Sequence, residues 1–202
     1  MPMFSLTRFQ RAALIATRFI TALCLSLWIG GMAFFGIMAA PVLFHPEKSG
    51  IARAANTATL APQIVSAMLT RFGTLTTVLS ALIVVSVLID GFLSRATKNH
   101  LWRGQTLLAM LCLGLSFYLN TVLLPQTRRD QAEILPLIAR AARGETLTPQ
   151  EKTRRLAFDN GHSGYQRLAT INIYLLLALL FILIARGAAI PNSDVPKRAA
   201  KL

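Results

Sequence analysis

Four long runs of apolar residues, separated by polar and basic stretches, dominate the hydrophobic pattern of this chain. The runs lie at about residues 19–40, 72–93, 101–124 and 168–186. Because ~20 helical residues cross a hydrocarbon core of ~30 Å, each run is predicted to be a membrane-spanning helix. The pattern therefore predicts an all-α fold: an integral membrane four-helix bundle forming a single domain, with both termini on one side.

The two long connections lie on the side opposite the termini, and each is predicted to contain a short amphipathic helix. Residues 47–60 are rich in Ala and have apolar residues at helical spacing, which is typical of a helix on a membrane surface. In the second connection, Thr148, a following Pro and Glu151 form the signature of a helix start. Pro125 is expected to end the third span, and Gly161 is a possible break before the fourth.

The first run has a stripe of small residues along one face. At 100° per residue the stripe contains Ala22, Ser26, Gly30, Ala33, Gly36 and Ala40. Small side chains allow another helix to approach closely in a membrane. We therefore predict a helix-packing role for Gly30, Gly31, Gly36 and Pro41.

Small and polar residues also form stripes on the second and third runs. The stripes contain Gly73, Thr77, Ser80 and Gly91 in one run, and Gln105, Ala109, Cys112, Ser116 and Asn120 in the other. Such faces are expected to turn away from lipid and pack against other helices.

Several polar residues are expected to meet at the outer ends of the spans, in a region that we call the outer mouth. The candidate binding residues there are Thr74, Thr77, Tyr118, Asn120, His162 and Asn172. One interpretation is that they only form hydrogen bonds between helices. The other is a shallow pocket for a small polar molecule or a metal.

Short motifs give the chain a resemblance to a known family. The first run contains Leu-Trp-Ile-Gly-Gly at 27–31 and Ala-Pro-Val-Leu-Phe at 40–44, followed by Leu-Ala-Pro at 60–62. Before and within the fourth run come Phe158, His162, Ser163 and Asn172. These elements resemble the transmembrane protein 205-like family, a domain of unknown function, which implies a four-span membrane protein without an assigned activity. The order of spans is also distantly similar to that of copper-resistance D-type membrane proteins.

Composition and charge support a small membrane domain. The chain has 202 residues, of which 54% are hydrophobic and 14% charged, and its formal net charge is +13. The Lys and Arg residues flank the apolar runs, where anionic lipid headgroups attract them, and no nucleic-acid recognition motif accompanies them. Their density favours cytoplasmic termini in a bacterial cytoplasmic membrane, and residues 187–202 are predicted to form a basic, disordered tail.

Metal and redox sites need ligands that meet at one depth. The three histidines, His45, His100 and His162, lie at span edges or in connections, which disfavours a haem held inside the bundle. Cys24 and Met38 lie at opposite ends of the first span, so the soft ligands do not gather for copper. We therefore predict no metal site and no cofactor.

No catalytic motif is present, and the chain is predicted not to be an enzyme. Asp90 is the only carboxylate in or at the edge of a span, and a helix-end role or an ion pair is expected for it. Two functions remain open. One is a small-solute or metal carrier, or a stress-related membrane factor, that uses the outer mouth. The alternative is a non-catalytic scaffold that assembles with anionic lipid, another membrane protein or a second copy.

Overall fold

The computed structural model describes residues 7–50, 57–94 and 100–188, and all of its regular structure in these ranges is helical. The segments are α1 Arg8–Ala33, a π-helical turn Phe34–Ala39, α2 Ala40–Phe44, a 3-10 turn Pro46–Ser49, α3 Thr57–Ser94, α4 His100–Tyr118, a π-helical turn Leu119–Leu123, α5 Leu124–Ala142 and α6 Pro149–Ala188.

These segments form four helices that are long and apolar enough to cross a membrane. They are Arg8–Phe44, Leu60–Ser94, His100–Ala142 and Pro149–Gly187. The two π-helical turns lie within the first and third of these helices. This finding confirms the all-α four-span prediction, while the exact limits of the spans remain a prediction.

The helices pack as a closed bundle in which neighbours in sequence are neighbours in space. α1 packs on α3, α3 on α4 and α4 on α6, and α6 returns to α1. The core contains Leu25, Trp28, Ile83, Leu176 and Leu179, each at most 1% exposed. Because successive helices alternate in direction, the start of α1 and the end of α6 lie at the same end of the bundle.

Two ends of the bundle can be named by a residue in each. The Asp90 end holds the start of α1, the end of α3, the start of α4 and the end of α6. The Asn120 end holds the opposite ends of those helices.

The exterior of the bundle is apolar. Phe92, Ile37 and Phe181 are 83%, 75% and 71% exposed, and many other large apolar side chains along the helices are also exposed. Water would penalise such a surface, whereas lipid accepts it. The exposed surface therefore agrees with a protein that is integral to a membrane.

Two prolines that would interrupt an ordinary helix each follow a π-helical turn. Pro41 comes two residues after the turn that ends at Ala39, and Pro125 comes two residues after the turn that ends at Leu123. A proline ring clashes with the carbonyl four residues earlier, and a wider turn at that position accommodates it. The helix therefore continues past Pro125 into α5, and the end of the third span at Pro125 stays a prediction.

The long connections are mostly extensions of the spanning helices. α5 continues the helix of the third span, and α6 runs unbroken through Gly161, so the second connection contains no separate short helix. The short helix predicted at 47–60 is not a separate element in the part that the structure describes, because its last residues, from Thr57 on, belong to α3. Residues 51–56 of that prediction, and residues 189–202 of the predicted tail, lie outside the described residues.

The predicted helix start at Thr148 is confirmed. Glu151 donates its backbone N–H to Thr148 Oγ1 at 3.3 Å, and the Thr148 N–H donates to Glu151 Oε2 at 2.7 Å. This reciprocal cap begins α6 at Pro149. α5 and the first half of α6 then pack together, and we call this pair the α5–α6 hairpin.

Candidate functional site

The amide of Asn120 joins α4 to α3 through a group of hydrogen bonds. Its Nδ2 donates to the carbonyl of Gly73 at 2.8 Å and to Thr77 Oγ1 at 3.0 Å. Ser116 Oγ and Thr76 Oγ1 also accept from it, at 3.2 and 3.3 Å. The π-helical turn that contains Asn120 places this amide against α3. Asn120 therefore has hydrogen-bond partners on another helix.

The two small and polar stripes face the bundle interior, as predicted. Gln105, Ala109, Cys112 and Ser116 are the buried residues of α4. A side chain at Gly73 would overlap Asn120, and one at Gly91 would overlap the indole of Trp102. The glycines of α3 therefore create the space in which polar and aromatic groups of α4 sit.

The other candidate residues are distributed over different surfaces. Thr74 is exposed and donates to the carbonyl of Thr70 at 3.3 Å, and Tyr118 is 45% exposed. Asn172 is 2% exposed, and its Oδ1 accepts no hydrogen bond in the described part of the chain. Of the six candidates, all within the described residues, only Thr77 and Asn120 are hydrogen-bonded to each other.

A cavity of ≈ 200 Å³ lies at the Asn120 end, between α3 and the α5–α6 hairpin. Its apolar lining residues are Phe44, Pro62, Val65, Leu69, Leu124, Ile138 and Phe158, and its polar ones are Ser66, Thr127, Arg128, Gln131, His162 and Tyr165. Among the six candidate residues, only His162 lines it. The surface of this cavity is largely apolar, in contrast to the polar mouth expected from the sequence.

The charged and polar groups of the cavity have identifiable contacts. Arg128 Nη1 donates to Thr70 Oγ1 at 3.3 Å. The imidazole of His162 stacks on Phe158 with ring centroids 6.0 Å apart, and its Nε2 lies 3.1 Å from the amide nitrogen of Gln166. The thirteen lining residues include one arginine and no carboxylate. Arg128 is therefore the one permanently charged side chain among these lining residues.

The small-residue stripe of α1 faces outward in the monomer. A side chain at Gly30 or Gly36 would meet no other atom within 4 Å, and Pro41 is exposed. Gly31 alone has a close partner, because a Cβ there would overlap the Phe72 ring. Among the described residues, therefore, Gly31 is in close contact with a neighbouring helix, whereas Gly30 and Gly36 are not.

A buried charge cluster at the Asp90 end was only partly anticipated. Arg18 Nε donates to Asp90 Oδ1 at 2.8 Å, while Arg186 pairs with Asp90 Oδ2 and donates to Gln105 Oε1. The side chains of Asp90 and Arg186 are 4% and 5% exposed, and that of Arg18 is 19% exposed. These four residues, the Asp90 cluster, link α1, α3, α4 and α6.

The sequence indicated an ion pair for Asp90 but not these partners. Arg18 and Arg186 are separated from Asp90 by 72 and 96 positions, so sequence proximity could not reveal them. Their shared feature is depth, because each arginine lies at the edge of an apolar run on the same side. The shared position of these residues at the same edge of their apolar runs was therefore the one feature of the sequence that could have predicted the contact.

Potential metal ligands are dispersed. In residues 7–50, 57–94 and 100–188, no group of three His, Cys, Asp or Glu residues could hold a metal ion. Cys24 and Cys112 are both free and buried. His45 Nδ1 lies 3.4 Å from Glu47 Oε1 in an exposed pair.

The tip of the α5–α6 hairpin is held by exposed ion pairs. Arg140 Nε donates to Glu145 Oε2 at 2.9 Å, and Arg143 Nε donates to Glu145 Oε1 at 2.8 Å. The hydrogen bonds from these two guanidinium groups, that of Arg140 foremost, lower the pKa of the Glu145 carboxyl. The carboxylate is therefore the preferred form at neutral pH.

Comparison with known proteins identifies a family of unknown function. Searches of curated proteins and of solved structures found no match to the chain. Residues 23–134, which include α3, α4 and most of the first helix, match the model of a domain of unknown function, DUF4149. Because this match covers more than half of the 202 residues, the chain belongs to the DUF4149 family.

Proposed function

We propose that this protein binds a small, largely apolar organic anion in the cavity at the Asn120 end and acts as a carrier or stress-related factor for such solutes. The observation that supports it is the cavity itself, which is apolar over most of its surface and has Arg128 among its lining residues.

The volume of the cavity limits the size of the solute. An engineered protein cavity of ~150 Å³ binds benzene, so a cavity of ≈ 200 Å³ suits one ring with a small substituent. Seven apolar lining residues would contact that ring. The favoured solute class is therefore a substituted aromatic or a short alkyl chain.

The charge of the lining favours an anionic substituent. Arg128 offers a guanidinium that forms charge-assisted hydrogen bonds with carboxylates, and the described lining residues include no Asp or Glu that would attract a cation. The hydroxyls of Ser66 and Thr127 can contribute further donors. A metal ion is a weaker candidate for this cavity, since His162 is its only lining residue with a typical metal-binding side chain.

Three ligands with the same ring and different charge test this proposal. Saturable binding of benzoate, toluene and benzylammonium to the full chain in lipid nanodiscs can be measured by saturation-transfer NMR. We expect benzoate to bind most tightly and benzylammonium least. Absence of saturable binding for all three would contradict the proposal.

A matched pair of variants on α3 identifies the site. Leu69→Trp fills the cavity and should abolish benzoate binding, whereas Leu75→Trp adds the same side chain at a 48% exposed position and should not. Equal benzoate binding by the two variants would show that the cavity is not the binding site.

If the cavity binds benzoate, benzoate flux in proteoliposomes would distinguish a carrier from a binding protein.

The same proposal includes the location and orientation of the protein. It assigns the chain to a bacterial cytoplasmic membrane with cytoplasmic termini, supported by the density of Lys and Arg. A cysteine placed at Gly144 should react with a membrane-impermeant reagent from outside, and one placed at Leu202 should not. We also propose that the chain is related to the transmembrane protein 205-like family and that it has no enzymatic activity.

A scaffold function is the second candidate, and the outward-facing stripe of α1 favours it. Gly30 and Gly36 lie on a surface where no part of the described chain packs closely. In lipid, such a surface suits close contact with a helix of a second copy or of another membrane protein, and the basic rim suits anionic lipid.

Association through this stripe can be measured directly. Gly30→Leu should reduce cross-linking between copies in proteoliposomes without changing the monomer fold. Gly114→Leu is the matched control, because Gly114 of α4 is also exposed and free of close contacts. Proteoliposomes that show no solute flux, together with a protein that co-purifies with this chain, would favour the scaffold function over the carrier function.

A further inference from the structure

We propose that the Asp90 cluster binds a phosphate group at the membrane interface, with Arg18 as its primary donor. The site lies at the opposite end of the bundle from the proposed solute cavity and does not depend on it. A lipid headgroup and a free phosphate ion offer the same chemistry, and the test below separates them.

The first argument is the charge of the cluster. Asp90 is its one carboxylate, and Arg18 and Arg186 are its two guanidinium groups, so the ionised cluster carries one surplus positive charge. Gln105 contributes only the dipole of its amide. A surplus charge in a poorly hydrated site is unfavourable, and an anion beside it removes that penalty.

The second argument is the unequal use of the two arginines. Arg186 is 6% exposed and directs its amino groups to Asp90 and Gln105, so its donors are turned inward. Arg18 uses Nε for Asp90, and its two terminal amino groups contact no acceptor in the described residues. A guanidinium edge with two parallel N–H donors matches two phosphate oxygens.

The third argument is depth. Arg18 directly precedes the apolar run that begins at Phe19, and Arg186 lies at the end of the fourth run. Asp90 and Gln105 lie about one helical turn inside their runs. The cluster is therefore level with the boundary between hydrocarbon and headgroups, where lipid phosphates lie and where Arg18, 19% exposed, can reach them.

Thermal unfolding of the full chain in a neutral detergent tests the site. Phosphatidylglycerol, phosphatidylcholine and inorganic phosphate are titrated separately, because a ligand that binds only the folded state raises its unfolding temperature. Saturable stabilisation by phosphatidylglycerol above that by phosphatidylcholine, without an effect of inorganic phosphate, would identify a lipid headgroup. Equal stabilisation by inorganic phosphate would identify the free ion.

Two variants link the effect to Arg18. Arg18→Gln leaves the neutral pair of Asp90 and Arg186 and should lose the stabilisation. Arg8→Gln removes the same charge from an exposed position of α1 and should keep it. If Arg18→Gln does not fold, Arg18→Lys keeps the charge without the two-donor edge, and its apparent affinity should fall about tenfold.

The proposal is overturned if neither lipid nor phosphate stabilises the wild-type protein. It is also overturned if Arg18→Gln or Arg18→Lys responds as strongly as the wild type, or if Arg8→Gln loses as much as Arg18→Gln. In that last case the effect would be a general attraction between a basic surface and an anion.

Discussion

Replacement of Asp90 by Asn should be among the most destabilising conservative substitutions in this chain. The change removes one negative charge and keeps the size of the side chain. Two guanidinium groups, those of Arg18 and Arg186, then remain in the bundle without a counter-charge. Because four helices meet at this cluster, the unpaired charges should destabilise the packing of all four.

The burial of each partner determines the magnitude. Removing one partner of a buried ion pair costs about 3–5 kcal/mol, because the remaining charge is left unpaired. Arg186, with a side chain 5% exposed, has little access to water, whereas Arg18 is 19% exposed and regains some hydration. The Asn oxygen can still accept one hydrogen bond. We therefore expect a loss near the low end, about 3 kcal/mol.

Equilibrium unfolding by SDS in mixed micelles measures this change, with the buried Trp28 as a fluorescent reporter. The double variant Asp90→Asn with Arg186→Gln removes both the carboxylate and one stranded charge. It should be less destabilised than the sum of the two single variants, by about 1–3 kcal/mol. Glu145→Gln, which removes an exposed carboxylate from the hairpin tip, is the control and should have a much smaller effect.

Either of two results would refute this reasoning. A loss below about 1 kcal/mol for Asp90→Asn would mean that the cluster is effectively solvated. Strictly additive effects in the double variant would mean that Asp90 and Arg186 do not interact in the folded protein.

Three further predictions concern other parts of the bundle. Gly31→Ala should lower the unfolding midpoint because the new methyl group overlaps the Phe72 ring, whereas Gly30→Ala should not; equal midpoints would contradict the packing described. Asn120→Leu should cost about 1 kcal/mol in SDS unfolding, since it removes the hydrogen bonds that join α4 to α3 while the Gly73 carbonyl keeps the hydroxyls of Thr76 and Thr77 as donors, and an unchanged stability would contradict this role. Because the pKa of Glu145 is lowered on folding, its stabilisation of the hairpin tip should be complete above the ordinary carboxyl pKa and decrease as the pH falls through the lowered value; hydrogen exchange at the tip should therefore be faster in acid, and Glu145→Gln should reduce that dependence to the part that Glu151, whose pKa is also lowered, contributes.

The sequence by itself determined the four apolar helices and several local features. A run of ~20 apolar residues has one favourable environment and one backbone conformation that satisfies its polar groups there. The cap at Thr148 and the inward faces of α3 and α4 also followed from the sequence, because each depends on residues of one helix at fixed spacing. The polar character of Asn120 likewise required a partner within the bundle.

The tertiary structure alone decided which features meet. The side chains of the stripe through Gly30 are small wherever the helix is placed. Only the positions of α3 and α6 show that this stripe faces outward. Pro125 stops an ordinary helix, yet a π-helical turn before it lets the chain continue into the hairpin that borders the cavity. Asp90 could have paired with any nearby basic residue. Its partners are Arg18 and Arg186 because α1 and α6 place these residues at the same depth in the bundle. Spacing within a helix is encoded locally, whereas contacts between helices depend on the rotation and depth of each, which only the packing of the whole bundle fixes.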